Sequence, residues 1–227
     1  MCPVTAVAQR RLWLVAGWLT IGYVVLTFIG TVFQEMVVLG DNPSKAAAAL
    51  VTSSMSKNFT GGYIELIATL VFLAAALLLA RLLRGSDDLS GWLSSCVGGT
   101  AVAYVAVMFA TGAAGAAALY DGHHGVPLAT VTALSDIRNI GYSMTGGIAG
   151  ALVLAASAAG QVTRVLPRWF VYAGYLIGAV CIAAVPAAKA GAPQTLLWFA
   201  WLVVIGVIAL RRSRVAPAVA RTATATA

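Results

Sequence analysis

In 227 residues, 61% are hydrophobic and only 9% are charged, against roughly a quarter charged in an ordinary soluble domain. A water-soluble fold of this size lacks the interior to hide that much apolar side chain, because much of any folded surface faces solvent. The net charge of +7 would suit a nucleic-acid partner only if the basic residues clustered on one solvated face among aromatics. Here they stand at the ends of apolar runs, which points to a lipid bilayer as the partner and to no nucleic acid.

A bilayer core of about 30 Å needs about 20 apolar residues in a helix. Six segments meet that requirement: 12–33, 63–83, 92–119, 139–158, 169–188 and 193–210. The expected fold is therefore all-α, a polytopic transmembrane bundle of six spans, preceded by a cytoplasmic segment 1–11. Cys2 follows Met1 directly, with no lipoprotein signal before it. Cys96 and Cys181 fall inside apolar runs as small packing residues, and without a CxxC there is neither a thiol redox motif nor a zinc ribbon. Arg10 and Arg11 precede the first run as they would in a secretion signal, but its apolar core is too long for one, so it is expected to be a retained anchor.

The longest loop comes next. Within it DNPSKAAAALVTSSM predicts a helix over about 43–55, with Asp41 or Asn42 as cap and Pro43 in the first turn. It is too short and too polar to cross a membrane. It is expected on the outer surface, as an interfacial tie in preference to a lid.

After the third span, DGHHGVP places His123 beside His124. A zinc site wants three or four ligands, and adjacent histidines in a glycine-flanked loop supply at most two, so these are weak metal candidates in a solvated loop. No HExxH, Ser-His-Asp signature or Walker loop occurs. The reading leans away from an enzyme and assigns no catalytic residue, resident metal or cofactor.

The fourth span opens with ALSDIRNIGYSMTGG, residues 133–147. With a helix starting near Asn139, Ser135 would be its N-cap and Asp136 would sit where the helix dipole favours an anion. Arg138, a cation in the same turn, fits that dipole poorly. Asp136 and Arg138 are two positions apart and cannot face each other, so each needs another partner; Gln34, Glu35, Glu65 and Lys189 lie at similar depth. A carboxylate as deep as Glu65 should face the bundle, pair, or be protonated. Arg138, Tyr142 and Thr145 recur at helical spacing beside Ser135 and Asn139, forming a descending polar stripe. Glu35, Glu65, Asp136, Arg138, Asn139 and Tyr142 are thus candidates for one of two arrangements: an outward-opening polar recess for a small solute or proton, or an ion-pair network that only locks the helices.

Helices in lipid associate through small residues. Gly146 and Gly150 in the fourth span, and Gly174 and Gly178 in the fifth, form GxxxG pairs, and Gly98, Gly99, Gly112 and Gly115 lie in an Ala-rich third span. The spacing leaves open whether such ridges meet within one chain or build a homo-oligomer, so a membrane scaffold or partner subunit stands as the alternative function. Trp13, Tyr63, Trp92, Tyr120 and Trp169 mark span borders, whereas Trp198 and Trp201 lie deeper and should pack.

Six spans sort the basic residues. Arg10, Arg11, Arg81, Arg84, Arg164, Arg168, Arg211, Arg212, Arg214 and Arg221 fall on one side; Lys45, Lys57, Arg138 and Lys189 fall on the other. Cationic loops stay cytoplasmic, so both termini are expected there, with 211–227 as a basic, disordered tail. The segments LLLARLLRG, RNIGY and LPRWFVYAGYLIG, taken in order, resemble a family of bacterial six-span membrane proteins without a defined activity, over residues 12–210. That resemblance implies a single helical domain in the bacterial inner membrane and transfers no catalytic residue.

Overall fold

A computed structural model describes residues 6–34, 43–187 and 193–215. They form α1 (Ala6–Phe33), α2 (Pro43–Thr52), α3 (Met55–Leu83), α4 (Asp88–His123), α5 (Leu128–Val162), α6 (Arg168–Ala183) and α7 (Pro193–Val215), with a 3-10 turn at Val185–Ala187. The chain is all-α, and α1, α3, α4, α5 and α7 are long and apolar enough to cross a membrane. The expected fifth span is shorter than its sequence range. α6 has 16 residues, about 24 Å at 1.5 Å per residue. Pro186 explains the stop: it has no N–H for the helix ladder, and its ring would clash with the carbonyl four residues back, so the chain tightens into the 3-10 turn.

Successive long helices run antiparallel. Tyr23 of α1 packs on Phe72 of α3 with tilted rings 4.9 Å apart, and Gly30 meets Gly61. Phe72 in turn packs on Tyr104 of α4, and Ser94 Oγ donates to the Ala80 carbonyl at 2.5 Å. Gly115 of α4 faces Arg138 of α5, and Gly150 of α5 faces Gly178 of α6. α7 returns along α1, with Gly206 against Gly17 and Phe199 against Phe28. The start of α1 and the end of α7 therefore share one end of the bundle, where Trp13 clusters with Leu82 and Ala209 and the Arg212 guanidinium lies 5.7 Å from the Trp13 ring. We call this the arginine end.

The core fills the bundle interior toward that end. Trp198 and Trp201 stack at 5.9 Å, Phe170 lies on Trp201, and the Tyr23 and Tyr104 hydroxyls hydrogen-bond at 3.0 Å. A phenol in lipid needs such a partner, since no water is at hand. Three crossings bring backbones together through glycine. A Cβ on Gly150 would stand 2.7 Å from the Gly178 carbonyl oxygen, one on Gly61 2.6 Å from that of Gly30, and one on Gly17 3.0 Å from that of Gly206. Gly174 packs on Ser157, whereas Gly146 faces open space.

Several helix limits differ from the expected ones. α5 starts at Leu128 after Pro127, so Ser135 is an interior residue rather than a cap, because a helix need not end where the apolar core of the bilayer ends. α4 and α5, of 36 and 35 residues, are each more than 50 Å long by the same rise, roughly 20 Å more than a bilayer core. Their hairpin projects at the far end and turns through Gly125 at φ +76°. α2 braces it: Leu50 packs on Ala118 and Val131, and Val51 lies against Gly122. The helix expected over 43–55 ends at Thr52, and Ser54 caps α3, accepting from the Lys57 N–H at 3.5 Å; Asp41 and Asn42 lie outside the described residues. α7 continues through Arg211, Arg212 and Arg214 to Val215, where cations in the last turn suit the helix dipole.

Candidate functional site

Near the arginine end α3 and α4 are in contact, with Leu77 against Gly98 and Phe72 against Tyr104. From Thr69 and Met108 outward they are separated by a cavity of about 400 Å³. Phe59, Gly62, Tyr63 and Leu66 of α3 form one wall, and Phe109, Gly112, Ala113 and Ala116 of α4 the other. Ser135, Arg138, Asn139 and Tyr142 of α5 close the back, with Gln34, just past α1, and Leu50 of α2 at the rim. Tyr63 is 65% exposed, and Leu66 and Phe109 are 38% exposed, so the mouth opens sideways on the outer surface of the bundle.

Arg138 lies eleventh in α5, three turns from the start, which removes the conflict with the dipole expected from a helix beginning at Asn139. Its side chain crosses Gly115, where a Cβ would stand 2.6 Å from Cδ and 2.9 Å from Nε. The absence of a side chain there is what lets the arm lie flat. Arg138 Nη2 donates to Gln34 Oε1 at 3.1 Å, and the other half of that carboxamide, the buried Gln34 Nε2, lies beside the Glu65 carboxylate. Glu65 packs over Gly30, where a Cβ would meet its Cγ at 2.8 Å, and accepts from Thr31 Oγ1 at 3.4 Å. Glu65 and Arg138 are electrostatic neighbours, but among the described residues Arg138 makes no ion pair. Asn139 is 7% exposed, and its amide bonds to no described residue although it borders the cavity.

Of the six candidates, Glu65, Arg138, Asn139 and Tyr142 border this cavity. Asp136 does not, and Glu35 lies outside the described residues. Gln34, weighed only as one of several partners, is the residue that holds Arg138. The seat at Gly115 and the engagement of Glu65 by Thr31 were missed; a small-residue face on α4 opposite the polar stripe of α5 was the signal available for the first. His124 stacks on Tyr120 with ring centroids 4.0 Å apart, its Nδ1 2.7 Å from the Tyr120 carbonyl. Among the described residues no three His, Cys, Asp or Glu side chains converge on a metal position.

No family model matches the chain, and comparison with curated proteins and with solved structures likewise finds no match. The resemblance to a bacterial six-span family therefore gains no support from them. What the helices define is the class: a polytopic helical membrane protein with five candidate spans.

Proposed function

We propose that the chain crosses a bacterial inner membrane six times with both ends cytoplasmic, and that its outward recess binds, or passes, a small solute or proton. The sixth crossing is α6 with its 3-10 turn, residues 168–187, which is about one span in length. An even number of passages fits the shared end of α1 and α7, and the arginines gathered there favour the cytoplasm. The observation that carries the binding reading is a cavity of about 400 Å³ on whose wall Glu65, Arg138, Asn139 and Tyr142 converge, a concave site with a few polar groups among apolar ones. Its floor at Thr69 and Met108 sits one turn from the packed Phe72 and Tyr104, which favours binding over an open channel. The alternative, a scaffold assembled through glycine ridges, has less support, since Gly150, Gly174 and Gly178 all face neighbours inside the bundle.

Cysteine labelling tests both parts. In a background without native cysteines, Ser135→Cys should react with a membrane-impermeant maleimide on intact cells, and Ser86→Cys, between α3 and α4 at the arginine end, only after lysis. Protection of Ser135→Cys in cells with labelling after lysis would reverse the orientation; protection in both would remove the water-filled recess. Glu65→Gln and Arg138→Gln should then fold normally and change ligand or proton handling, whereas loss of folded protein alone would return the cluster to a structural lock.

A further inference from the structure

We infer that the recess takes an amphiphile with an anionic head, a phosphate or carboxylate, entering sideways from the outer leaflet. The head sits on Arg138, Asn139 and Tyr142 and the hydrocarbon lies in the cleft between α3 and α4. The inference rests on the recess reading and names its ligand class.

Depth supplies the first argument. Glu65 lies 18 residues along α3 from its last residue, Leu83, about 27 Å, close to one hydrocarbon thickness. The polar wall is thus level with lipid head groups, while Thr69 and Met108, at the floor about a turn deeper, are level with the first part of the acyl chains. The mouth supplies the second. It opens between α3 and α4, at Leu66 and Phe109, on a surface that faces lipid. A water-soluble ligand has no use for that apolar slot, whereas a chain has.

The third argument is the excess of donors. Among the described residues Arg138 uses only Nη2, and Asn139, a residue 7% exposed, makes no side-chain hydrogen bond at the cavity wall; the Gln34 amide nitrogen lies beside the Glu65 carboxylate. Tyr142 adds a hydroxyl at the same wall. Anionic oxygens satisfy such a set, and a guanidinium binds phosphate or carboxylate through paired N–H groups. Glu65 alone opposes an anion, and it is engaged by Gln34 and Thr31 on its other side. The fourth is space: a Cβ on Gly112 would meet nothing within 4 Å, so the α4 wall leaves room for methylenes.

The test uses the full chain in a neutral maltoside detergent and follows its unfolding midpoint, which a ligand of the folded state raises. Dodecyl phosphate should raise it in a saturable way; methyl phosphate, the head without the chain, should not. Arg138→Gln should weaken the response about tenfold or more, the loss of one charge-assisted contact, and Glu65→Gln should keep or strengthen it. Gly112→Leu should not lower the midpoint in detergent alone and should lose the response, which holds the test open should Arg138→Gln fail to fold. An equal response to methyl phosphate, an intact response in Gly112→Leu, or loss of response in Glu65→Gln would each overturn the proposal. Labelling of Ser135→Cys without any response to dodecyl phosphate would leave the recess standing and remove the amphiphile.

Discussion

A single methyl group at Gly115 tests the geometry of the recess most directly. Its Cβ would stand 2.6 Å from Arg138 Cδ, where carbon atoms prefer about 3.5–4.0 Å, so the arm must shift on the order of 1 Å. That shift takes Nη2 out of range of Gln34 Oε1, now at 3.1 Å. A hydrogen bond to a charged group contributes about 1.5–3 kcal/mol, and alanine gains about 0.8–1.0 kcal/mol over glycine in a helix. Gly115→Ala is therefore expected to cost about 0.5–2 kcal/mol. Gly112, on the same helix, is the control: a Cβ there meets nothing within 4 Å, so Gly112→Ala should stabilise by up to about 1 kcal/mol. In an Arg138→Ala background the clash is gone and Gly115→Ala should turn favourable as well. The double-mutant cycle, read by reversible unfolding in mixed micelles, should give a coupling of about 1.5–3 kcal/mol. The same sign for both glycines in the wild type, or a coupling below about 0.5 kcal/mol, would refute the seating of Arg138 on Gly115.

Three further outcomes follow from the packing. Gly178→Ala puts a Cβ 2.7 Å from Leu154 Cγ and 2.8 Å from the Gly150 carbonyl oxygen, and should cost about 1–3 kcal/mol by overpacking, whereas Gly146→Ala should be neutral or stabilising; thermal melts followed by circular dichroism decide. Ser94→Ala removes the buried bond from α4 to the Ala80 carbonyl and should cost about 0.6–1.7 kcal/mol, the range for such bonds between membrane helices, read from the same melts. Asp87 caps α4, and the Ser90 hydroxyl, followed by the Ser90 N–H, holds its carboxyl below the ordinary range. Its folded value lies below its unfolded one, so the capping contribution is present above the unfolded value and disappears as pH falls through the folded one. Hydrogen exchange at the first turn of α4 should accelerate in acid, and Asp87→Asn should flatten that dependence.

Five of the six expected spans were legible because lipid imposes one demand, about 20 apolar residues per crossing, and α1, α3, α4, α5 and α7 meet it. The helix limits were not, because hydropathy reports where lipid begins and hydrogen bonding decides where a helix ends. Ser135 and Asp136 looked like a terminus; they lie about two turns into a helix that starts at Leu128. Glycine contacts divide in the same way. Gly150 and Gly178 could be found because each lies on a ridge with its own spacing, yet Gly146, on the same ridge, meets nothing. The crossings of Gly30 with Gly61 and Gly17 with Gly206 left no trace, since each helix contributes one glycine and only the fold pairs them. The polar stripe of α5 was readable as a face, but its partners lie on α1 and α4, far off in sequence.

Arg138 shows how a cation can be held at such a site without a carboxylate against it. At the bilayer centre an arginine costs about 2.5–3.5 kcal/mol on an insertion scale, and a direct ion pair there must also overcome the desolvation of a second charge. α5 avoids the first cost by running ten residues beyond Arg138 to Leu128, which sets the guanidinium near the interface. The second is eased by Gln34, a neutral carboxamide set between the Arg138 guanidinium and the Glu65 carboxylate. Gly115 lets the methylenes of the arm lie against α4, so the apolar stem is covered while the head stays at the cavity wall. A guanidinium tied to glutamate would be a lock; one tied by a single amide keeps donors free for a ligand. That difference in partner is what the proposed binding role draws on.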